Sequence, residues 1–359
     1  MKILAIETSC DDTAIAIVEC NGKIENLQTN MLANIISSQT KLHAKSGGII
    51  PNLAAREHEK NLIPVLSEAL KKAKIKKENF KKEIDLIVTT KGPGLQPALL
   101  MGLNFAKALA YVYNKPIVGT NHLLGHILSN LIKNNGKFDN EIKLPIVCLL
   151  VSGGHTQLYR IDDWKNIELV GETLDDASGE CFDKIAKTLK LGYPGGVFIS
   201  KIAEQFREKN KNYEQEFNLP KPLMHSKDFN FSFSGLKTAV LYLVQRLKKE
   251  KKYNKKTIEK ICFESEEVIT EVLVQKTLKL AREINAKTIM ISGGVSANQR
   301  LRTKFLERIN NEFDFISPDR SMSTDNAAMI AISGYYDYLQ GKKDDCLTLE
   351  VNPNLQIKI

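Results

Sequence analysis

The chain has 359 residues, 43% of them hydrophobic, enough for real cores, and at ~150 residues per domain it should form about two domains. A net charge of +9 and a pI of about 9.0 favour an anionic partner such as nucleic acid, although the lysine clusters Lys71–Lys82 and Lys248–Lys256 read equally well as solvated faces. The six scattered cysteines form no C-x-x-C, which argues against a zinc ribbon or a disulfide framework. The longest apolar run, Pro145 to Val151, is too short for a bilayer, and no signal peptide is expected before Glu7. A cytoplasmic protein with reduced thiols and no membrane association is expected.

Ile3–Ile6 reads as a buried strand and Ala14–Val18 as its hairpin partner. Their connection, Glu7 to Thr13, is longer and more acidic than a tight turn requires, and it offers hydroxyls, carboxylates and amides to a ligand. A helical region follows the loop at 46–52, with an apolar stripe at positions 62, 65, 66, 69, 70 and 73 that suits either a core or a partner surface. Ile84–Thr89 is a strand leading into Lys91–Gly94, and a helix is expected over Pro97–Tyr113. The strand Pro116–Gly119 leads into Asn121–His126. If Asn121 caps a helix there, His122 and His126 lie on one helical face, where two imidazoles can grip one metal ion.

Ile146–Val151 and Gln157–Ile161 form a second hairpin around the polar turn Ser152–Thr156. Residues from about 198 to 285 read as helical, broken at Phe231–Lys237. Lys287–Ile291 is a strand ending in Ser292–Asn298, Phe313–Ser317 is another, and Asp325 is expected to open a final helix to about Leu339.

These segments repeat. The hairpin at 3–19 matches that at 146–161, and the strand–glycine loop–helix unit at 84–113 matches 287–311. Each unit leads to a further strand and a polar helix start, one holding His122 and the other Asp325. The expected fold is therefore α/β, two duplicated halves facing a central cleft. The first half comprises 1–135 plus a C-terminal helix at 325–345, and the second 136–324 with a helical insertion at about 198–285. Because ligand loops lie at the carboxyl ends of strands, His122, His126 and Asp325 are expected to meet across that cleft. Two histidines and one carboxylate leave coordination positions open for a substrate.

No P-loop and no G-x-G-x-x-G after a strand is present, but glycine loops at 92–94, 153–154, 195–196 and 293–294 allow close backbone approach to phosphate or ribose. Leu123 follows His122 where a zincin peptidase needs Glu, which argues against that chemistry.

Ten segments, in order along nearly the whole chain, carry a specific likeness: IETSCDDT at 6–13, SGGIIPNLAAREHEKN at 46–61, GPGLQPALLMG at 92–102, 121–126, LLVSGGHTQ at 149–157, 171–184, 193–196, FSFSGLKT at 231–238, SGGVSAN at 292–298 and TDNAAM at 324–329. With them the sequence resembles the tRNA threonylcarbamoyladenosine synthases, the TsaD family, and more its bacterial than its archaeal branch. The resemblance implies the actin-like (sugar-kinase/Hsp70) fold. It implies transfer of a threonylcarbamoyl group from threonylcarbamoyl-AMP to the N6 amine of the adenosine 3′ of the anticodon in tRNAs reading ANN codons. It also implies His122, His126 and Asp325 as ligands of one divalent metal, usually taken as Fe2+, with Zn2+ and Mg2+ also considered. The positions Leu150, Val151, Ser152, Gly153, Gly154, Asp183, Gly196 and Asn298 match those that bind the nucleotide-linked substrate, and Asp11 matches an acidic residue near the reacting end, a candidate general base. Implied partners are a TsaB-like paralogue as heterodimer mate, with the stripe at Leu62–Ala73 as a dimer surface, a TsaE-like P-loop ATPase, and the enzyme that makes the donor.

Three residues depart from the family pattern: Leu124 and Asp12 each stand where relatives usually carry Glu, and Ser200 where many carry an acidic ribose contact. The alternative readings are an ATP-dependent kinase or ATPase, another carbamoyltransferase of the same fold, a peptidase and a non-catalytic scaffold.

Overall fold

A computed structural model describes residues 1–45, 47–132 and 142–357. The expected boundary at 135/136 and Ser46 of the matched segments lie outside the described residues. The chain divides into two compact units, Met1–Ile142 with Pro318–Lys358, and Lys143–Ser317.

The first unit is built on a five-stranded sheet. Its strands are β1 (Lys2–Glu7), β2 (Asp12–Asn21), β3 (Gln28–Ser38), β4 (Leu86–Gly92) and β5 (Ile117–Asn121), in the order β3-β2-β1-β4-β5. The meander β1–β3 is antiparallel, whereas β4 and β5 run parallel to β1. β1 is apolar along nearly its whole length because both faces are covered. Leu4, Ile6 and Ile87 face a core completed by helices α1 (Pro51–Lys72) and α2 (Gln96–Tyr113). The other face takes the C-terminal helix. Gly334 lies so close to Val88 that an added Cβ would meet its Cγ1 at 2.2 Å. The stripe expected as a partner surface is core instead: Leu62, Val65, Ala69 and Leu70 are buried among Leu4, Ile15 and Phe80.

The second unit repeats this sheet strand for strand. β6 (Ile146–Val151), β7 (Thr156–Asp163), β8 (Asn166–Glu172), β9 (Thr288–Ser292) and β10 (Asp314–Ile316) lie in the order β10-β9-β6-β7-β8, with the same pattern of antiparallel and parallel pairs. The duplication read from the sequence is thus a duplication of topology. Two strands, β3 and β8, went unread. Both are edge strands with mixed burial, so neither a continuous apolar run nor a clean alternation marks them.

Helices of the second unit are α4 (Ser178–Leu189), α5 (Gly195–Lys209), α6 (Ser234–Lys249), α7 (Lys255–Glu283) and α8 (Gln299–Ile309), following α3 (His122–Leu128) of the first unit. The segment expected to be helical over 198–285 has a longer break than the sequence suggested: residues 210–233 carry no helix, and α6 starts inside the FSFSGLKT segment. Glu264, fully buried on α7, holds part of that break by accepting from Tyr213 Oη (2.7 Å) and the amides of Glu216 and Phe217. The last helix, α9 (Ala327–Leu339), is opened not by Asp325 but by Asn326, whose side chain accepts from Met329 N at 3.1 Å. Asp325 is left in the preceding loop. No helix among the described residues is long and apolar enough to cross a membrane.

Candidate metal centre and nucleotide loops

The hairpin tip between β1 and β2 is tied down at almost every residue. Thr8 Oγ1 donates to Ala98 O (3.0 Å), Leu95 N to Ser9 O (2.8 Å) and Gln39 N to Asp11 O (3.1 Å). Buried His58 spans the tip, with Nδ1 2.8 Å from Thr13 Oγ1 and Nε2 3.1 Å from Cys10 O. Gly102 makes room for this packing, since a Cβ there would sit 2.3 Å from Thr8 Oγ1. Such over-determined anchoring holds a loop in one shape at little entropic cost on ligand binding.

Asn121 caps α3 as its residue type predicts, Oδ1 accepting from Leu123 N (2.8 Å) and Leu124 N (3.2 Å). The cap fixes His122 and His126 one turn apart, their rings 4.7 Å between centroids and nearly perpendicular. Asp325 Oδ1 lies 3.1 Å from His126 Nε2 and 3.7 Å from His122 Nε2, and one ligand atom of each residue lies within 4.8 Å of the other two. Bonds of ~2.1 Å would put neighbouring ligand atoms of a tetrahedral site ~3.4 Å apart, so the three residues fit one divalent ion. All three belong to the first unit. The repeat implies that the three meet across a cleft; they lie together in the unit to which the helix at 325–345 was assigned, because α9 packs onto the first sheet and brings its preceding loop with it.

Behind His122 stands a residue the sequence left without a role. Glu7 is fully buried at the end of β1, with Oε2 3.0 Å from His122 Nδ1. Thr90 Oγ1 donates to the same oxygen at 2.6 Å, and Ser9 N donates to Oε1. Holding Nδ1–H in this way fixes the ring with Nε2 towards Asp325, the carboxylate–histidine support common behind metal ligands. The available signal was a carboxylate ending an otherwise apolar strand. Burial opposes charge on His122, but Glu7 and then Asp325 outweigh it and push its pKa up to about 9. Burial likewise opposes charge on Glu7, yet the His122 cation holds its carboxyl below the usual range. Asp12, raised to about 7 chiefly by burial, and Asp11, raised by burial and then by Asp325, add to a site rich in carboxylates. A cation entering here replaces protons as the neutralising charge.

Replacing Glu7 by Gln keeps the shape but turns an amide N–H against the donors Ser9 N or Thr90 Oγ1. We expect metal affinity to fall about 10- to 100-fold with the fold intact, read by competition with a chromophoric chelator. Unchanged affinity would remove Glu7 from the site. Leu124, inside the histidine motif, is 3% exposed and packs in the interior.

In the second unit, β6 delivers the turn at Ser152–His155. Leu150 and Val151 are fully buried, so only their main chain is available to a ligand. Ser152 N donates to His155 O (2.8 Å) and His155 N to Ser152 Oγ (3.1 Å), leaving Gly153 and Gly154 exposed at the tip. A Cβ at either glycine would meet nothing within 4 Å, and neither has a left-handed φ. Internal packing does not ask for glycine at these positions, and the open space leaves the main chain there accessible to close approach. Asp183 on α4 accepts from Gly195 N at 2.6 Å and so caps α5, which starts at Gly195 and Gly196. Burial raises its pKa against the pull of those two amides. Asn298, after β9, caps α8 by accepting from Leu301 N at 2.8 Å.

The chain matches the family model described as tRNA N6-adenosine threonylcarbamoyltransferase (TsaD) over residues 30–332. Proteins of that name from Thermosipho melanesiensis and Fervidobacterium nodosum are 46% and 44% identical, over 99% of this chain and 100% and 98% of theirs. The Clostridioides difficile protein is 42% identical over 99% of this chain and 98% of its own. Among solved structures, HypF of T. kodakarensis superposes with a TM-score of 0.56 at 12% identity, covering 95% of this chain and 48% of HypF. Full-length HypF in a phosphate- and nucleotide-bound form gives 0.55 at 11% identity, covering 95% and 47%. These two likenesses concern the fold.

Proposed function

Because the chain belongs to the TsaD family, and is therefore a tRNA-modifying acyltransferase of actin-like fold, we propose that it transfers the threonylcarbamoyl group from threonylcarbamoyl-AMP to the N6 amine of the adenosine 3′ of the anticodon in tRNAs reading ANN codons. The observation that carries this reading is the convergence of His122, His126 and Asp325 with Glu7 behind them, in a chain matching its relatives from end to end. The donor is a mixed anhydride, so the bond to be broken is already activated. The acceptor amine is a weak nucleophile, and positioning supplies much of the rate.

The ion proposed for the centre is Fe2+, with Zn2+ and Mg2+ as the alternatives that metal analysis separates; once bound, it supplies Lewis acidity and a template for donor oxygens. The second unit holds the adenylate, with Gly153 and Gly154 offering amides to phosphate or a developing oxyanion and the Asp183-capped start of α5 contributing Gly196. Asp11 lies on the anchored tip, and its raised pKa suits it to take up the proton leaving the amine. The net charge of +9 suits a polyanionic acceptor. Heterodimerisation with a TsaB-like paralogue, a TsaE-like P-loop ATPase and a cytoplasmic location complete the proposal.

The test is reconstitution. Protein with these partners, threonylcarbamoyl-AMP and unmodified tRNA is expected to yield threonylcarbamoyladenosine in the digested tRNA, and Asp11→Asn to lower the rate about 10²- to 10⁴-fold. ATP turnover by the isolated chain with a small acceptor, and no modified tRNA, would favour a kinase or ATPase instead.

A further inference from the structure

Glycines at 92 and 94 predict close approach to the main chain, and in the structure that approach is made by the chain itself. A Cβ at Gly92 would sit 1.8 Å from Asn352 O and 2.8 Å from Asn352 C, and one at Gly94 would sit 2.6 Å from Ser9 O. The loop after β4 thus touches both the segment that follows α9 and the β1–β2 tip. That segment is held along its length. Asp344 N donates to Ile117 O (3.0 Å), and Asp344 Oδ2 accepts from Gly119 N (2.8 Å). Lys107 Nζ donates to Leu347 O (3.2 Å) and Leu349 O (3.0 Å), and the Leu349 side chain is buried in the first core. Further on, Asn352 N donates to Lys91 O (2.8 Å), Pro353 O accepts from Gly94 N (3.2 Å) and Leu355 O accepts from Asn121 Nδ2 (3.3 Å). Residues 352–355 therefore cross the carboxyl ends of β4 and β5, where α/β sheets carry their ligand loops.

Two of these bonds lead to the histidines. Asn121 is 7% exposed, and its Oδ1 caps α3. Leu355 O is the acceptor recorded for Asn121 Nδ2 among the described residues, so residues 352–355 settle which end of this amide faces the helix. Gly94 leads into Leu95, whose N–H donates to Ser9 O, and Ser9 Oγ lies 3.2 Å from His122 Nδ1. We propose that residues 352–355 form a strap that positions the metal centre. The strap sets His122 and His126 through the Asn121 cap, and His122 again through Gly94 and Ser9. Ligands braced by two routes are pre-organised, so a cation meets them at little ordering cost. This inference rests on the reading of His122, His126 and Asp325 as metal ligands.

The test is competition for Zn2+ between the full-length protein and a chromophoric chelator, on variants shown to be folded by circular dichroism. Asn121→Asp keeps an acceptor for the α3 amides, since Asp caps as well as Asn, but it sets an oxygen in place of the donor to Leu355 O. Its added negative charge by itself favours a cation, so a fall in affinity reports the strap. A fall of about 10-fold is expected, the size found for groups that orient metal ligands. Gly92→Ala, whose Cβ meets main-chain atoms of Asn352, should displace the strap and weaken Zn2+ by a similar factor. The double variant should lose little more than either single variant, because both changes release one segment. Co2+ bound to either variant should show an altered visible absorption spectrum, because the ligand geometry relaxes. Leu347→Ala, in the same segment but with a side chain 70% exposed, should bind Zn2+ as the wild type does. Wild-type affinity or an unaltered Co2+ spectrum in Asn121→Asp or Gly92→Ala, losses that multiply in the double variant, or an equal loss in Leu347→Ala overturns the inference while the ligand assignment stands. Absence of Zn2+ binding to the wild type overturns both. Should Gly92→Ala fail to fold, Asn121→Asp alone decides.

Discussion

Replacing His122 with Ala is expected to cost the most of any single change: loss of bound metal and a fall in threonylcarbamoyl transfer of about 10³-fold or more, taking ~4 kcal/mol of Lewis-acid and templating stabilisation at 1.36 kcal/mol per tenfold in rate. The change removes one of the three proposed ligands, and it also strands Glu7. That carboxylate is fully buried and, among the described residues, keeps only Thr90 Oγ1 and Ser9 N as donors once the imidazole is gone. Breaking a buried pair from one side costs about 3 kcal/mol or more. Stability should therefore fall together with activity, and the two effects need separating. The double variant His122→Ala/Glu7→Gln separates them. It should recover much of the stability in denaturant titration, because no unpaired buried charge remains, and recover none of the activity or metal. His126→Ala should match His122→Ala in metal content and activity with a smaller stability loss than one that strands Glu7. Normal transfer with both histidines replaced would sink the metal role outright.

Gly179→Ala is the second large effect. Gly179 lies in the first turn of α4, and its N–H donates to Ser152 O at 3.2 Å. A Cβ there would sit 2.5 Å from Ser152 O, 2.8 Å from Gly153 Cα and 2.9 Å from Ser152 C. All three are main-chain atoms, so no side-chain rotation relieves the overlap. Either α4 or the Ser152–Gly154 turn must shift. We expect a destabilisation of about 1–3 kcal/mol in denaturant titration, and loss of nucleotide binding at least as large as the roughly tenfold of one lost hydrogen bond. Gly154→Ala is the matched control, since its Cβ meets nothing. Its stability should stay within about 0.5 kcal/mol of wild type, while nucleotide affinity drops because the close main-chain approach is blocked. A Gly179→Ala protein with full stability and full affinity would show that the turn and α4 do not move as one.

Local chemistry was readable wherever a residue's role depended on its neighbours in sequence. The Asn121 cap and the four-residue spacing of His122 and His126 follow from helix geometry, and the structure reproduces both. The polar tip at Glu7–Thr13 was legible because it is too long and too acidic for a tight turn. The duplicated order of strands was legible because β1, β4, β6 and β9 are buried on both faces and read as apolar runs. The edge strands β3 and β8, half in water, leave no such mark.

Contacts between distant segments were not readable in this way. Asp325 was singled out by its place in a repeat, which set it across a cleft from the histidines although the helix at 325–345 was assigned to their own half; the structure puts it beside them. The C-terminal helix packs on the first sheet, where Gly334 fits closely against Val88, a contact between segments about 250 positions apart. Glu7 was visible only as one carboxylate among several until the fold set it 3.0 Å from His122. The stripe on α1 had the same periodicity whether it met a core or a partner, and only packing against Leu4, Ile15 and Phe80 decides for the core. Asn298 looked free to bind a ligand until the fold set its carboxamide against Leu301 N, Ser200 Oγ and Glu266 Oε1. The sequence by itself determined the family, the duplicated α/β class and the candidate metal-ligating residues, because these rest on motifs, periodicity and short-range spacing. The tertiary structure decided that Glu7 stands behind His122 and that Asp325 lies beside both histidines, because hydrogen-bond partners 100 or 200 positions apart exist only once the chain has closed.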